Sequence, residues 1–248
     1  MQKNNPIIIN VPHSATCIPP SEEIYFTTPY LKREIAVMTD HYCDDLFNTG
    51  DTMLRFPISR LVCDPERFRD DYVEIMASIG MGAIYTSCSD GSQLKEISPE
   101  HKEELLVRYY DTYHSQFEAV VSEKLQRYGK CLIIDGHSFY DVPLPYELDQ
   151  DRNRPDICIG TDKYHTPRRV KETLLEFFKQ RGYSVEINKP FAGSIVPLKY
   201  YQSDRRVSSV MIELNRRLYI DHDLNKTKGY RQIKKDVAKA IESIVRFL

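Results

Sequence analysis

The chain has 248 residues, of which 41% are hydrophobic and 28% are charged, and these proportions exclude a disordered or fibrous protein. Its 34 Lys and Arg against 36 Asp and Glu give a net charge of -2, which leaves no basic surplus for a phosphate backbone. We therefore expect no nucleic acid partner. No apolar run approaches the ~18 residues of a membrane span. The six cysteines form no Cys-x-x-Cys pair, which is typical of reduced thiols. We expect a cytoplasmic protein without a membrane segment, and the composition indicates no oligomeric state.

Short apolar runs bounded by polar turns predict buried β-strands. The predicted strands are Ile7–Val11, Cys131–Asp135, Ile157–Gly160, Tyr183–Ile187 and Val207–Leu214. Between them, apolar residues at helical spacing predict helices. The predicted helices are Glu34–Asn48, Ser98–Tyr128, a segment that begins at Thr166-Pro167 and stops at Gly182, and a segment from about Lys228 to the end of the chain. Continuous apolar strands that alternate with helices predict an α/β fold, with a mainly parallel, mixed sheet and helices on both faces. We find no linker or repeat that divides the chain, so residues 1–248 are predicted to form a single domain.

Two histidines follow predicted strands. His13 comes after the strand that ends at Val11, and His137 comes after the strand Cys131–Asp135. Because the carboxyl ends of parallel strands meet at one crevice, we expect the two imidazoles to lie close together. Neutral imidazoles in such a place suit Zn²⁺, which usually takes three protein ligands and a water in catalytic sites. The alternative is a pair of loop histidines that only form hydrogen bonds.

Glu213 lies inside the apolar predicted strand Val207–Leu214. A carboxylate there is costly to desolvate without a partner, so its position indicates a specific role. It can act as a general base beside a metal-activated water. The alternative is a structural ion pair with Arg216 or Arg217.

Arg60 and Arg67 flank residues 61–66 and can anchor an acidic substrate, because a guanidinium group binds a carboxylate through two parallel hydrogen bonds. A solvated surface pair is the alternative interpretation. The polar, Pro-rich stretch 141–155 predicts a long loop after a strand, which is where α/β proteins keep their active sites.

The predicted helix Glu34–Asn48 carries an acidic cluster. Helical spacing places Asp40 and Asp44 on one face, and it does the same for His41 and Asp45. Asp40 is a candidate metal ligand, and a solvated acidic face is the alternative.

A serine hydrolase is an alternative function. The run Gly136-His137-Ser138-Phe139-Tyr140 resembles a nucleophile elbow, but it ends in Tyr where glycine permits the tight turn. In this interpretation Ser138 is the nucleophile and either His165 or His222 is its base.

Taken in chain order, seven short motifs resemble those of the N-formylglutamate amidohydrolase family, which hydrolyses N-formylglutamate to formate and glutamate. They extend from the first predicted strand to the last. The motifs are Val11-Pro12-His13-Ser14, Thr39-Asp40-His41, Ser59 to Arg67, Asp135-Gly136-His137-Ser138, Pro155 to Thr161, Pro190 to Ser194 and Ile212 to Tyr219.

The resemblance implies a fold similar to that of zinc-dependent exopeptidases and aspartoacylase-like deacylases. It also implies metal-dependent hydrolysis of the amide bond of a small acidic N-formyl or other N-acyl amino acid. His13 and His137 would bind a divalent metal, which we take to be Zn²⁺. We choose Asp40 as the third ligand, with Glu22 or Glu23 as alternatives, because Thr16 stands where the exopeptidase His-x-x-Glu motif has its glutamate.

By the same resemblance, Glu213 is the catalytic base, and Arg60, Arg67 and Arg216 bind the substrate. Two positions depart from the family pattern. Ala15 replaces a glycine, and Glu66 replaces an asparagine and adds a negative charge beside Arg67. A non-catalytic protein that binds an acidic ligand on the same fold is therefore a further alternative.

Overall fold

Six strands and seven α-helices follow one another along the part of the chain that the computed structural model describes, residues 3–245 and 247. The strands are β1 Ile7–Val11, β2 Thr52–Arg55, β3 Cys131–Phe139, β4 Ile157–Gly160, β5 Val185–Ile187 and β6 Val207–Asn215. The helices are α1 Pro20–Glu23, α2 Leu31–Met38, α3 Cys43–Leu46, α4 Pro99–Leu105, α5 Thr112–Tyr128, α6 Arg168–Lys179 and α7 Tyr230–Val245. A π-helical segment, Leu106–Asp111, joins α4 to α5.

The strands form one mixed sheet in the order β2-β1-β3-β6-β4-β5. Four consecutive strands of this sheet pair in parallel, from β2 through β1 and β3 to β6. Strand β4 pairs antiparallel with β6 and parallel with β5. The predicted α/β fold with a mainly parallel, mixed sheet is confirmed. Since β1, β3 and β6 are parallel neighbours, their carboxyl ends lie side by side at one edge of the sheet.

Helices pack on both faces of the sheet. Successive strand residues point to opposite faces, so neighbouring residues of one strand contact different helices. Ile7 and Ile9 of β1 pack with residues of α3, α6 and α7, whereas Ile8 packs with residues of α4 and α5. Strands covered on both faces read as continuous apolar runs, which is why β1, β3, β4 and β6 were visible in the sequence.

The predicted helix Glu34–Asn48 is wrong. Helix α2 ends because Thr39 takes an extended backbone (φ −84°, ψ 136°), and α3 begins only after Tyr42, whose φ is 64°. Between them the Asp40 amide donates to the His13 carbonyl oxygen at 2.9 Å. The expected helical faces shared by Asp40 and Asp44 and by His41 and Asp45 therefore do not exist.

Other observed boundaries differ from the predicted ones by smaller amounts. Strand β3 continues past Asp135 to Phe139 because residues 136–139 pair with residues 212–215 of β6. Strand β5 is shorter than predicted, and β2 was not predicted. The last predicted helix is observed as α7, and residues 246 and 248 lie outside the described residues, as do residues 1 and 2 of the predicted domain. Within the described chain, no helix combines the length and apolar character needed to cross a membrane.

Candidate active site

His13, His137 and Glu213 meet at the carboxyl edge of the three central strands. His13 follows β1, and His137 and Glu213 lie opposite each other in the register of β3 and β6. The two imidazole rings have centroids 5.0 Å apart, and both side chains are buried. The predicted convergence of the two histidines is confirmed.

Asp64 holds His13 from one side. Its Oδ1 lies 2.8 Å from His13 Nε2, and its Oδ2 accepts hydrogen bonds from Arg60 Nη2 at 2.7 Å and from the Tyr85 hydroxyl at 2.7 Å. Burial opposes ionisation, but Arg60 and His13 lower the pKa of Asp64 well below its usual range. The other ring nitrogen of His13, Nδ1, is buried and makes no hydrogen bond. His13 is thus oriented through Nε2 and offers Nδ1 to the cavity.

Asp40 holds His137 in a similar way. Its Oδ2 lies 3.0 Å from His137 Nδ1, and its Oδ1 accepts from Arg216 Nη2 at 3.0 Å. Arg216 also donates to the Ser138 hydroxyl and to the Val37 carbonyl. Burial opposes ionisation of Asp40, but the two histidines and Arg216 lower its pKa well below the usual range. The Asp40 carboxylate is ionised and has a cationic partner.

Glu66 completes a group of metal-type donors with the two histidines. Its Oε2 lies 3.1 Å from His137 Nε2 and 3.9 Å from His13 Nδ1. One ligand atom from each of His13, Glu66 and His137 lies within 4.8 Å of the others. Asn10, itself bonded by the Tyr113 hydroxyl, donates through Nδ2 to Glu66 Oε1 and to Asp135 Oδ1. In the sequence Glu66 stands out only as a departure from the family pattern, because its nearness to the two histidines depends on how the segment after β2 folds.

Glu213 faces the same cavity without a hydrogen bond to one of its oxygens. Its side chain is 7% exposed, and Oε2 is buried and unpartnered. Burial, and then the negative charges of Asp40 and Asp135, raise the pKa of Glu213 to about 8. The alternative ion pairs are contradicted, because Arg216 pairs with Asp40 and Arg217 pairs with Asp156 at 2.8 Å. A carboxyl group with a pKa near neutrality, held beside two histidines, is suited to proton transfer.

The cavity above the sheet edge has a volume of about 440 Å³ and is lined by Arg60, Arg67 and Arg216 as well as by the histidines and Glu213. The three arginines differ in how free they are. Arg60 donates through both Nε and Nη2 to Asp64, and Arg216 is bonded to Asp40 and Ser138. Arg67 Nε is buried without a hydrogen-bond partner, and its nearest carboxylate oxygen, on Asp64, is 3.8 Å away. Arg67 is therefore the arginine best placed to receive an anion.

The remaining candidates lie apart from this arrangement. Glu22 contacts His101 at 2.8 Å, and Glu23 is exposed. Both ring nitrogens of His165 are hydrogen-bonded to main-chain groups, and His222 is exposed, so neither is available as a base for Ser138.

Comparisons with known proteins identify a matching family model and similar solved structures. The family model described as N-formylglutamate amidohydrolase matches residues 5–220. A search of curated proteins found no match. The crystal structure of N-formylglutamate amidohydrolase from Ralstonia eutropha JMP134 is similar with a TM-score of 0.85 and 19% identity, covering 100% of this chain and 96% of that one. The crystal structure of gene product Atu2144 from Agrobacterium tumefaciens has a TM-score of 0.68 and 17% identity, covering 97% and 92% of the two chains.

At these identities the two structures establish the shared fold, and the match over most of the chain establishes the family. The chain belongs to the N-formylglutamate amidohydrolase family of hydrolases, which act on a linear amide.

Proposed function

We propose that the protein hydrolyses the amide bond of a small, acidic N-formyl or other N-acyl amino acid at a divalent metal, Zn²⁺, bound by His13, His137 and Glu66. The observation that carries the proposal is the convergence of these three donors beside the buried Glu213, whose Oε2 has no hydrogen-bond partner. Glu66 takes the place that we predicted for Asp40, because Asp40 is already occupied by His137 and Arg216.

The donors fit a cation in two respects. First, Nδ1 of His13 is a buried polar atom with no hydrogen bond, which a metal would satisfy. Its Nε2 faces Asp64, and a carboxylate on the second nitrogen is the usual way to orient a metal-binding histidine.

Second, the charges at the site are unbalanced. Asp64 is paired with Arg60, and Asp40 is paired with Arg216. Three further carboxyl groups then face one remaining guanidinium group. These groups are Glu66, Asp135 and Glu213 on one side and Arg67 on the other. With both imidazoles neutral, as metal binding requires, and all three carboxyl groups ionised, the site would have two more negative than positive charges. A divalent cation would restore neutrality, and it would supply Lewis-acid polarisation of a carbonyl and a lowered pKa for water.

Glu213 supplies the proton transfers. The reaction adds the oxygen of water to the amide carbonyl carbon and breaks the C–N bond. Glu213 accepts a proton from the attacking water and delivers it to the nitrogen of the leaving amine, while the acyl group leaves as a carboxylic acid. Burial raises the pKa of Glu213 to about 8 in the metal-free site, and a bound cation would lower it toward neutral pH, where both protonation states that this double role requires are accessible.

Arg67 binds the substrate carboxylate in this proposal. It lines the cavity, it is the least paired of the three arginines, and its planar guanidinium group can form two parallel hydrogen bonds with a carboxylate. Arg60 and Arg216 contribute positive charge to the cavity, but their donors are largely used to hold Asp64 and Asp40.

The test is release of free amino acid from a panel of N-formyl and N-acetyl amino acids, measured with the purified protein before and after chelation and after zinc is restored. We expect activity on acidic substrates that is lost on chelation and recovered with zinc. Activity that survives chelation but is abolished by Ser138→Ala would support the serine hydrolase alternative. Binding of the substrates without turnover under any condition would support the non-catalytic alternative.

A further inference from the structure

An apolar wall continues from the reacting groups along two neighbouring strands. Side chains two residues apart on a strand point to the same face of the sheet. Phe139 therefore follows His137 on one face of β3, and Met211 precedes Glu213 on one face of β6. All four residues line the cavity.

Phe191 extends this wall from the loop that follows β5. Its ring centroid is 5.7 Å from that of Phe139, with the rings inclined at 66°. Its carbonyl oxygen accepts a hydrogen bond from the Cys158 thiol, and Cys158 lies opposite Glu213 in the pairing of β4 with β6. Phe191 is thus tied to the Glu213 side of the site.

The aromatic pair is also supported from behind. The guanidinium group of Arg154 lies 5.8 Å from the Phe139 ring centroid and 5.6 Å from the Phe191 ring centroid. Arg154 is 3% exposed and forms an ion pair with Glu147. Because this cation is buried and paired, it fixes the rings and adds no charge to the cavity.

Arg67 and Phe191 come from loops that follow the two opposite edge strands of the sheet. Arg60 and Arg67 follow β2 at one edge of the sheet and contact Asp64, which holds His13 after β1. Phe191 follows β5 at the other edge. An amide whose amine half carries a carboxylate bound at Arg67 directs its acyl half across the site toward the aromatic pair.

We propose that the acyl group of the substrate is an apolar chain several carbons long, larger than formyl, held between Phe139, Phe191 and Met211. This inference rests on the proposed amide hydrolysis. A formyl group has no methylene to place against these side chains, whereas the cavity of about 440 Å³ lies within the range of pockets that enclose drug-sized ligands, about 300–1,000 Å³.

The experiment measures kcat/KM for N-acetyl-, N-butyryl- and N-hexanoylglutamate, which share the same carbonyl reactivity, with N-formylglutamate as a reference. Each added methylene is expected to raise kcat/KM about fourfold, as long as the acyl chain still fits in the cavity. Phe191→Ala should lower the hexanoyl-to-acetyl ratio about tenfold. Tyr72→Ala is the matched control, because Tyr72 is a fully exposed aromatic residue outside the cavity, and it should leave the ratio unchanged.

A second measurement does not depend on the folding of a variant. The free carboxylic acids from acetate to hexanoate should inhibit the wild-type enzyme more strongly as the chain lengthens. A flat or falling series, both for substrates and for these inhibitors, would overturn the inference while leaving amide hydrolysis intact. Failure to hydrolyse any of the four amides would instead contradict the proposed function.

Discussion

Replacing Glu66 by Gln separates the two candidates for the third metal ligand. The substitution keeps the length of the side chain and an oxygen that can accept from Asn10, but it removes the negative charge that lies 3.1 Å from His137 Nε2. Zinc binding in a four-ligand structural site is worth about 10–16 kcal/mol, or about 2.5–4 kcal/mol for each ligand. We therefore expect Glu66→Gln to weaken zinc binding by about 10²–10³-fold.

Asp40→Asn is the matched control, because it also removes one charge next to His137. Groups that orient a ligand without binding the metal typically contribute 10–100-fold to affinity, so its effect on zinc should be smaller. Its larger effect should be on folding, since Arg216 loses its buried anionic partner and breaking such a pair costs about 3–5 kcal/mol. Competition with a chromophoric chelator gives the affinities, and urea unfolding of the metal-free proteins gives the stabilities. A larger loss of zinc affinity in Asp40→Asn than in Glu66→Gln would refute the assignment of Glu66.

Three further predictions concern other residues. Glu213→Gln should retain zinc, as measured by metal analysis, and lose about 10²–10⁴-fold in kcat, because only proton transfer is removed; undiminished turnover would contradict the role of Glu213. Arg67→Lys should raise KM for acidic substrates by about 10–100-fold with little change in kcat, because Lys keeps the charge but loses the planar fork; a fall in kcat alone would count against the carboxylate anchor. Burial lowers the pKa of Lys95 to about 7, so between pH 7 and its unfolded value of 10.5 the unfolded chain binds more protons and stability rises with pH. From pH 7 to pH 9 this gain should be about 2 kcal/mol and should be absent in Lys95→Met, which urea unfolding at the two pH values would show; equal pH dependence in both proteins would contradict it.

The sheet was predictable because burial on both faces leaves a local signature. β1 and β4 have the predicted boundaries, since every residue in them is buried and apolar runs mark such strands directly. Strand β2 was missed because it is a four-residue edge strand in which only Leu54 is buried. An edge strand that short has no periodic pattern to distinguish it from a loop.

The prediction of one helix over Glu34–Asn48 failed because of a contact with a distant part of the chain. Ile35, Met38, Tyr42 and Leu46 keep helical spacing, yet the backbone turns at Thr39 so that the Asp40 amide can bond to His13. That contact joins residues far apart in the chain, and local periodicity does not report it.

The site was predictable as far as it depends on strand ends. His13, His137 and Glu213 are brought together by parallel pairing of β1, β3 and β6, and the predicted parallel sheet already implied this convergence for the two histidines. Other features of the site depend on how loops fold over that edge. They are the pairing of each histidine with an aspartate, the position of Glu66 beside the histidines and the lack of a hydrogen-bond partner for Arg67 Nε. No spacing in the sequence indicates such contacts.

The most direct test of the account is hydrolysis of N-acylglutamates by protein of known zinc content, followed as release of free glutamate. The account predicts turnover in proportion to bound zinc, with no activity after chelation and full recovery when one equivalent is restored. Turnover of these amides by zinc-free protein at the rate of the loaded enzyme would contradict it.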